Sequence, residues 1–598
     1  MKETSVEKKT YSKKDDRNKY VKNNYSNRNK TSKPQYKKTA DKPKIQPKPV
    51  KIIPMGGLGE IGKNITVYDY DGEMILVDCG MSFPDEEMPG IDIVIPDFTY
   101  ILENKDKIKG LFVTHGHEDH IGAIPYLLTN FNVPIYATRL TVGLIEEKLK
   151  EHKLLSSAVL NIVKPGEKIT LGKFTVDFIH VNHSIPDAVG FAITTPAGTV
   201  IHTGDFKIDT TPIDDFVIDI GKFAEYGRNG VLALLADSTN AERPGYTASE
   251  RLVGGSFSNL FGKAQGHRII VATFSSNIHR IQQIIDEAVR CDRKVAVSGR
   301  SMINVVSVAE ELNYLNIPDN VLIDLGDIKN YPPEKTVIIT TGSQGEPLSA
   351  LHRIAFSDHK QLEIIPGDMI IISATPIPGN EKLVSKVVNE LMKSGANVVY
   401  ESMYDVHVSG HACQEELKLM MSVVKPKYFI PLHGEQKHLM KHAFLAEQMG
   451  IPKNNILIAN NGSVIELSNG NIKCEQVVTA GRVLVDGLGV GDVGSIVLRD
   501  RKHLSDDGII VVTVAIDKVT REVVSGPEVI SRGFVYVKES EELMNEINEL
   551  VGDILERCYI NNVRDWNTVK TKIKDGVSKF LFIKTKRSPM ILPMIMEV

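Results

Sequence analysis

Cysteine is scarce in this 598-residue chain, which has five thiols: Cys79, Cys291, Cys413, Cys474 and Cys558. They are odd in number and show no CxxC spacing, which excludes a disulfide framework and argues for reduced thiols in a cytoplasmic setting. No apolar run approaches the roughly 18 residues that span a bilayer, so no membrane partner is expected. The opening MKETSVEKKTYSKKDD has no apolar h-region, so no signal peptide is expected either. No segment repeats at a fixed period. With thiolates so sparse, any metal must be held mainly by histidine and aspartate. Hydrophobic residues make up 42% and charged residues 24%, ordinary for a globular protein. At roughly 150 residues per domain the length implies two to four domains.

The net charge of −4 conceals an asymmetry. Residues 1–50 carry 16 Lys/Arg against 5 Asp/Glu, so the rest of the chain is acidic. This first segment is rich in Lys, Asn, Ser and Pro and nearly free of aliphatic residues. It cannot bury enough apolar surface to offset the entropy of ordering, so it reads as a disordered basic tail. A basic arm on an acidic body suits a polyanion such as nucleic acid, or it simply keeps the chain soluble.

From residue 51 short strands and glycine turns dominate, as in VKIIPMGGLGEIGKNITVYDYDGEMILVDCG. IKGLFVTH reads as a strand and HIGAIPYLLTNF as a helix. From about 248 the chain alternates helix-length segments with apolar strands such as HRIIVATF, RKVAVSG, TVIITTG and DMIIISATP, the pattern of a largely parallel sheet. From about 497, GIIVVTVAID, GFVYVKES and the helical ELMNEINELVGDIL form a small separate α/β domain. The apolar residues of that last helix read as core or subunit contacts. The class is α/β, with sheets covered by helices.

LFVTHGHEDHIGA, residues 111–123, gathers His115, His117, Asp119 and His120 within six positions after an apolar strand. A loop leaving a strand lets alternate residues converge, and the start of a helix adds the next two. Imidazole nitrogen and carboxylate oxygen suit Zn²⁺ or Mn²⁺. HVNHSIPD offers His180 and His183. Three apart along a strand they face opposite sides, so one of them reaches the site. Asp78 in VDCG, Asp205 in VIHTGDFK and His433 in FIPLHGEQ all follow apolar strands. His202 lies within a strand and reads as structural.

HGHEDH resembles the HxHxDH motif of the metallo-β-lactamase superfamily. The resemblance aligns His183 with the third motif of that group. It implies one cation on His115, His117 and His183, a second on Asp119, His120 and His433, and Asp205 bridging them. It makes Asp78 the carboxylate that orients a ligating histidine. LLADSTNAERPG, VHVSGHA and PLHGE are similar to the three motifs of the β-CASP nucleases, with Asp237, Ser238 and Thr239 in the first, His407, Ser409 and His411 in the second, and His433 in the third. In that group a histidine at the third motif accompanies RNA substrates. Together with MGGLGEIGKN, IPDFTYILEN, HSIPDAVG, TGDFKID, FSSNIHR, GSQGEP and SGPEVISRGFVYVKE, these stretches resemble the bacterial ribonuclease J family over residues 51–598.

The resemblance implies a metallo-β-lactamase αββα sandwich (51–247 and 412–480), an inserted β-CASP α/β domain (248–411), a linker (481–496) and a C-terminal domain (497–598). It implies two Zn²⁺ per subunit, with Mn²⁺ or Mg²⁺ acceptable, and single-stranded RNA as partner. The activity expected is hydrolysis by an activated hydroxide, 5′-to-3′ from 5′-monophosphate ends with internal cuts as well, in RNA maturation and mRNA decay. Homodimers or homotetramers are expected, with a paralogue or degradation complex as a further partner. Asp119, His411 and Asp78 are the catalytic candidates, His411 at the scissile phosphate and as general acid. His407, Val408, Ser409, Gly410 and His411 are expected to cradle phosphate, Gly410 by letting backbone approach the ligand. Ser275, Ser276 and Asn277 sit at a strand-to-helix junction, where they suit phosphate or a simple N-cap. Asp237 and Ser238 are expected at the substrate. Two other readings compete: a DNA-cleaving β-CASP nuclease, and a non-catalytic RNA-binding scaffold, which would be expected to have lost ligands.

Overall fold

A computed structural model describes residues 47–85, 87–377, 379–400, 403–468, 470–534 and 541–598. The basic tail, up to residue 46, lies outside the described residues, as does 535–540 of the GFVYVKES stretch. Residues 47–598 form one compact unit, and Val50, placed at the end of the tail by composition, already begins a strand.

Two sheets face each other. The eight-stranded sheet runs, in spatial order, Ile472–Val477, Ser463–Leu467, Val50–Gly56, Ile65–Tyr70, Glu73–Val77, Ile108–Phe112, Ile135–Ala137 and Leu160–Ile162. The six-stranded sheet runs Pro426–Leu432, Val231–Asp237, Gly198–His202, Val189–Thr195, Phe174–His180 and Lys168–Leu171. Between them Ile52, Tyr68, Ile75 and Phe112 of the first sheet interlock with Phe178, Phe191, Ala233 and Ile430 of the second. The Phe178 and Phe191 rings meet edge to face at 4.9 Å, and Phe112 lies 6.0 Å from Phe178. Helices Ile124–Asn130 and Arg139–Glu151 cover one outer face, and Ile220–Asn229, Gln414–Val424 and Gln436–Gln448 cover the other. This is the expected αββα sandwich.

The seven residues of Val231–Asp237 are all buried, which is why they read as an unbroken apolar run. This strand pairs in parallel with Gly198–His202 on one side and Pro426–Leu432 on the other. Parallel pairing aligns strand ends, so Asp205, Asp237 and His433 all emerge at one edge. In the facing sheet, Glu73–Val77 and Ile108–Phe112 are also parallel, and bring Asp78 and His115 to the same edge.

The inserted domain is a six-stranded, wholly parallel sheet in the order Leu322–Ile323, Lys294–Ser298, Thr336–Thr340, Ile269–Ala272, Met369–Ile372 and Asn397–Val399. Helices Arg251–Lys263, Ile278–Arg290 and Arg300–Glu311 share a continuous core with the sandwich; Ala350–Ala355 and Glu381–Lys393 cover the opposite face. The C-terminal domain packs Glu541–Ile560 and Trp566–Thr585 on a three-stranded sheet of Val523–Arg532, Ile509–Ile516 and Met590–Glu597. The segment 481–496, expected as a linker, is more than a connector. Arg482–Asp486 pairs with Ile93–Pro96 of the sandwich, and Leu484 packs on Met88, Ile91 and Val94. Burial of Leu484 against these three apolar side chains offsets the cost of ordering a short strand there.

Candidate metal centre

Five stretches of chain converge at the shared strand edge. His117 Nδ1 lies 3.0 Å from His115 Nε2 and 3.1 Å from His183 Nε2. Asp205 Oδ2 lies 3.2 Å from His120 Nε2, 3.8 Å from His115 Nε2 and 3.9 Å from His183 Nε2. Its other oxygen, Oδ1, accepts from His433 Nδ1 at 2.8 Å. His433 Nε2 is 3.3 Å from Asp119 Oδ2. Three groups of ligand-type atoms result among the described residues: His115, His117 and His183; Asp119, His120, Asp205 and His433; and, overlapping the second, Asp205, Asp237, His411 and His433, the atoms of each within 4.8 Å of one another. Asp205 faces the first two.

The donor chemistry fits divalent cations. Burial, then the neighbouring imidazoles, hold His115 well below its usual range, and His183 likewise; burial takes His117 down to about 4. Neutral rings turn lone pairs toward a common point, at spacings close to the roughly 3.3 Å edge of a tetrahedron with 2.0–2.1 Å bonds. In the second group burial opposes charge on His433, but Asp205 and Asp119 outweigh it and lift the imidazole to about 10. His120 is raised in the same way by Asp205, Asp119 and Asp78. Carboxylates that attract protons this strongly in the free protein are the ones a cation can neutralise instead.

Supporting side chains fix the rings. Asp78 Oδ2 accepts from His120 Nδ1 at 2.8 Å, and Oδ1 accepts from the Thr114 N–H at 2.8 Å. Thr114 Oγ1 also reaches His115 Nδ1 at 3.0 Å. His183 Nδ1 donates to the Gly410 carbonyl at 2.8 Å. Asp78 and His433 both hold positive φ, 61° and 49°, which costs a non-glycine residue backbone energy and is found where surrounding contacts over-determine the conformation.

His411, half-buried, stands beside this cluster, its Nδ1 2.8 Å from Asp237 Oδ2 and 3.9 Å from Asp205 Oδ2. Burial opposes its charge, yet Asp237 outweighs burial and raises it. Asp237 in turn accepts from the Thr239 N–H at 2.9 Å and Oγ1 at 2.7 Å. His407 Nδ1 accepts from Arg280 Nη1 at 2.8 Å. Arg280, fully buried, also bonds Glu250 through Nε at 2.9 Å and the Ser373 carbonyl at 3.0 Å, anchoring the loop 405–411 that carries His407 and His411.

Several expected substrate contacts are corrected. Asp237 and Ser238 are 3% and 0% exposed. Asp237 bonds His411, and Ser238 Oγ lies 3.0 Å from His442 Nδ1, so neither side chain faces solvent. Val408 packs in the core. Asn277 is buried as the N-cap of Ile278–Arg290, accepting from the Arg280 N–H, while Ser275 and Ser276 stay half-buried and available. Gly410 does permit a close approach, but to a side chain of the same protein: a Cβ there would lie 2.6 Å from His183 Cε1. His180 turns away and bonds the Phe216 carbonyl at 3.1 Å. His202 bonds Tyr68 Oη at 2.9 Å, inside the sandwich. Sequence reasoning missed Thr114, Arg280 and Asn64. Each lies in a stretch the sequence had singled out, Asn64 at the end of MGGLGEIGKN, Arg280 at the end of FSSNIHR and Thr114 just before HGHEDH, but none had been given a role.

Fold and site together define a metallo-β-lactamase-type hydrolase with an inserted β-CASP domain. The chain matches the metallo-beta-lactamase superfamily over residues 58–240, the ribonuclease J beta-CASP domain over 266–391, the Zn-dependent metallo-hydrolase RNA specificity domain over 395–458 and the ribonuclease J C-terminal domain over 496–598. It is 47% identical to ribonuclease J2 of Bacillus subtilis over 549 residues, covering 92% of this chain and 99% of that one. It is 46% identical to ribonuclease J of Thermus thermophilus over 561 residues, covering 92% and 95%. A crystal structure of an Enterococcus faecalis protein of unknown function shares the fold, at 15% identity and a TM-score of 0.50 over 70% of this chain and 100% of that one. The chain belongs to the ribonuclease J family and is a metal-dependent ribonuclease. No helix among the described residues is long and apolar enough to cross a membrane.

Proposed function

We propose that this enzyme hydrolyses single-stranded RNA with two cations, one on His115, His117 and His183 and one on Asp119, His120 and His433, with Asp205 shared. Zinc suits the donors, and manganese or magnesium is acceptable. When bound, such a pair makes a nucleophile of water at neutral pH and offsets charge developing on the phosphate. The remaining roles fall to the chain itself. Asp78 keeps His120 in one tautomer. Asp237 holds His411 by Nδ1 and favours its protonated form, so Nε2 is the proton donor for the departing 3′-oxygen. The observation that carries the reading is the convergence, on one strand edge, of seven ligand-type side chains drawn from residues 115 to 433.

Stepwise 5′-to-3′ degradation from a 5′-monophosphate end, with internal cuts besides, is the mode we assign. Its support is electrostatic. Burial and then Arg280, Arg243 and Lys207 hold the His407 imidazole well below its usual range, so three cations surround a neutral ring on the loop carrying His411. With Nδ1 accepting from Arg280, Nε2 bears the proton and donates to a terminal phosphate. Ser409 and the half-buried Ser275 and Ser276 are the hydroxyls we assign to the same phosphate. Work in RNA maturation and mRNA decay in the cytoplasm, as a homodimer or homotetramer alone or with a paralogue, completes the proposal.

Digestion of 5′-monophosphate and 5′-triphosphate RNAs labelled at either end, with and without chelator, is the test. Chelator-sensitive release of 5′ nucleotides, faster from the monophosphate, is the expected result. Equal rates on both ends would remove the monophosphate reading, and activity that survives full chelation would remove the metal reading. Single-stranded DNA of the same sequence should resist.

A further inference from the structure

The motif MGGLGEIGKN has no part in the roles above, yet its last residue lies against the second metal group. Asn64 is 9% exposed. Its Nδ2 lies 3.1 Å from the Asp119 carbonyl, 3.2 Å from His120 Nε2 and 3.5 Å from Asp119 Oδ2. Its backbone N–H donates to the same Asp119 carbonyl at 3.0 Å, and its own carbonyl accepts from Gly80 at 3.0 Å. Asp119 needs such help. It sits in a four-residue helical turn, Glu118–Ile121, and its side chain is 29% exposed, against 5% or less for His120, Asp205 and His433.

The same loop reaches the far ligand. Leu58 and Gly59 pair with Gly434 and Glu435, directly after His433, and Glu60 accepts from Asn461 Nδ2 at 2.8 Å. Gly57 is there for space as well as for its φ of 85°: a Cβ would lie 2.3 Å from Asn64 Oδ1. Residues 57–64 thus brace the backbone beside Asp119 at one end and beside His433 at the other. His115, His117 and His183 have no polar contact with Asn64 among the described residues.

We propose that Asn64 is a positioning residue for the second cation: its amide, donating to the Asp119 carbonyl and facing the Asp119 carboxylate, holds Asp119 where that cation needs it, and leaves the cation on His115, His117 and His183 unaffected. The proposal rests on the two-cation reading above. Groups that orient ligands in this way change metal affinity by about 10–100-fold when removed.

The test is equilibrium binding of Mn²⁺ and Zn²⁺ to metal-stripped full-length protein, for wild type, Asn64→Ala and Asn64→Leu. Asn64→Leu keeps the side-chain volume while removing the amide, and thermal unfolding in chelator identifies any variant that has failed to fold. Two bound cations in wild type, with only the weaker-held or second one loosened about 10–100-fold in both variants, is the expected result. The metal concentration giving half-maximal RNA cleavage should rise by the same factor, with the rate at saturating metal recovering to within a few-fold. Two cations held with unchanged affinity in a folded variant would overturn the role of Asn64 and leave the two-cation reading standing. Loss of both cations equally would overturn its selectivity. A wild type that binds one cation removes the two-cation reading itself, and this inference with it.

Discussion

Replacing Gly410 with alanine tests the link between the inserted domain and the metal group most directly. The added Cβ would lie 2.6 Å from His183 Cε1, 2.7 Å from Nδ1 and 2.8 Å from Ser184 Oγ. Ordinary contact begins near 3.4 Å, so ring and loop must part by about 0.8 Å. Neither yields easily. The ring is tied to the Gly410 carbonyl, and the loop is held through His411 by Asp237 and through His407 by Arg280. Forcing a methyl into such packing costs roughly 1–3 kcal/mol of stability. A displacement of about 1 Å at a reacting centre costs on the order of 100-fold in rate. Gly410→Ala should therefore lose about 10–100-fold in kcat on a fluorescent 5′-monophosphate RNA, with weaker metal binding at His115, His117 and His183. Gly255→Ala is the control. It lies in Arg251–Lys263 with nothing near its virtual Cβ, so it should keep full activity and gain up to about 1 kcal/mol. A Gly410→Ala enzyme with wild-type turnover and metal content would refute the reasoning.

Asp237→Asn removes the charge that favours protonated His411 while keeping the side-chain shape; kcat should fall by about 100-fold or more with KM little changed, and an unchanged kcat would take the proton-donor role away from His411. Arg280→Ala leaves Glu250 buried without its partner, so the thermal or urea transition should shift by roughly 3–5 kcal/mol; a shift under 1 kcal/mol would mean the pair is not structural. Stripping metal with a chelator should lower the melting temperature, since a cation present at about 1,000 times its Kd adds about 4 kcal/mol; identical melting curves with and without chelator would argue against a cation held by the native fold.

How legible was the site? The short-range part was plain. His115, His117, Asp119 and His120 lie within six residues after an apolar strand, and Ile108–Phe112 followed by the turn at Glu118–Ile121 is what that pattern implied. Asp78, Asp205 and His433 were legible for the same reason, each just past a buried strand. The inserted parallel sheet was visible in its apolar strands, because strands covered on both faces leave no alternation to hide them. The partners of side chains were not visible. Asp237 and Ser238 look like surface polar residues by composition, and only packing shows that one holds His411 and the other His442. Asn277 suited a phosphate contact or a helix cap, the resemblance favoured phosphate, and its burial and its bond from the Arg280 N–H decide for the cap.

What the chain order alone determined is therefore the inventory: which strands end in ligand-type residues, and that these are mainly histidine and aspartate. Local periodicity and turn chemistry suffice for that, because they depend on neighbours within a few residues. The tertiary structure decided which of these ends share an edge. Parallel pairing of Val231–Asp237 with its two neighbours sets Asp205, Asp237 and His433 side by side across more than 220 residues of chain. It also decided that Gly410 serves His183 and that Asn64 braces Asp119. Contacts at such separation depend on how whole sheets stack and on which backbone has room to approach, and a linear pattern carries neither.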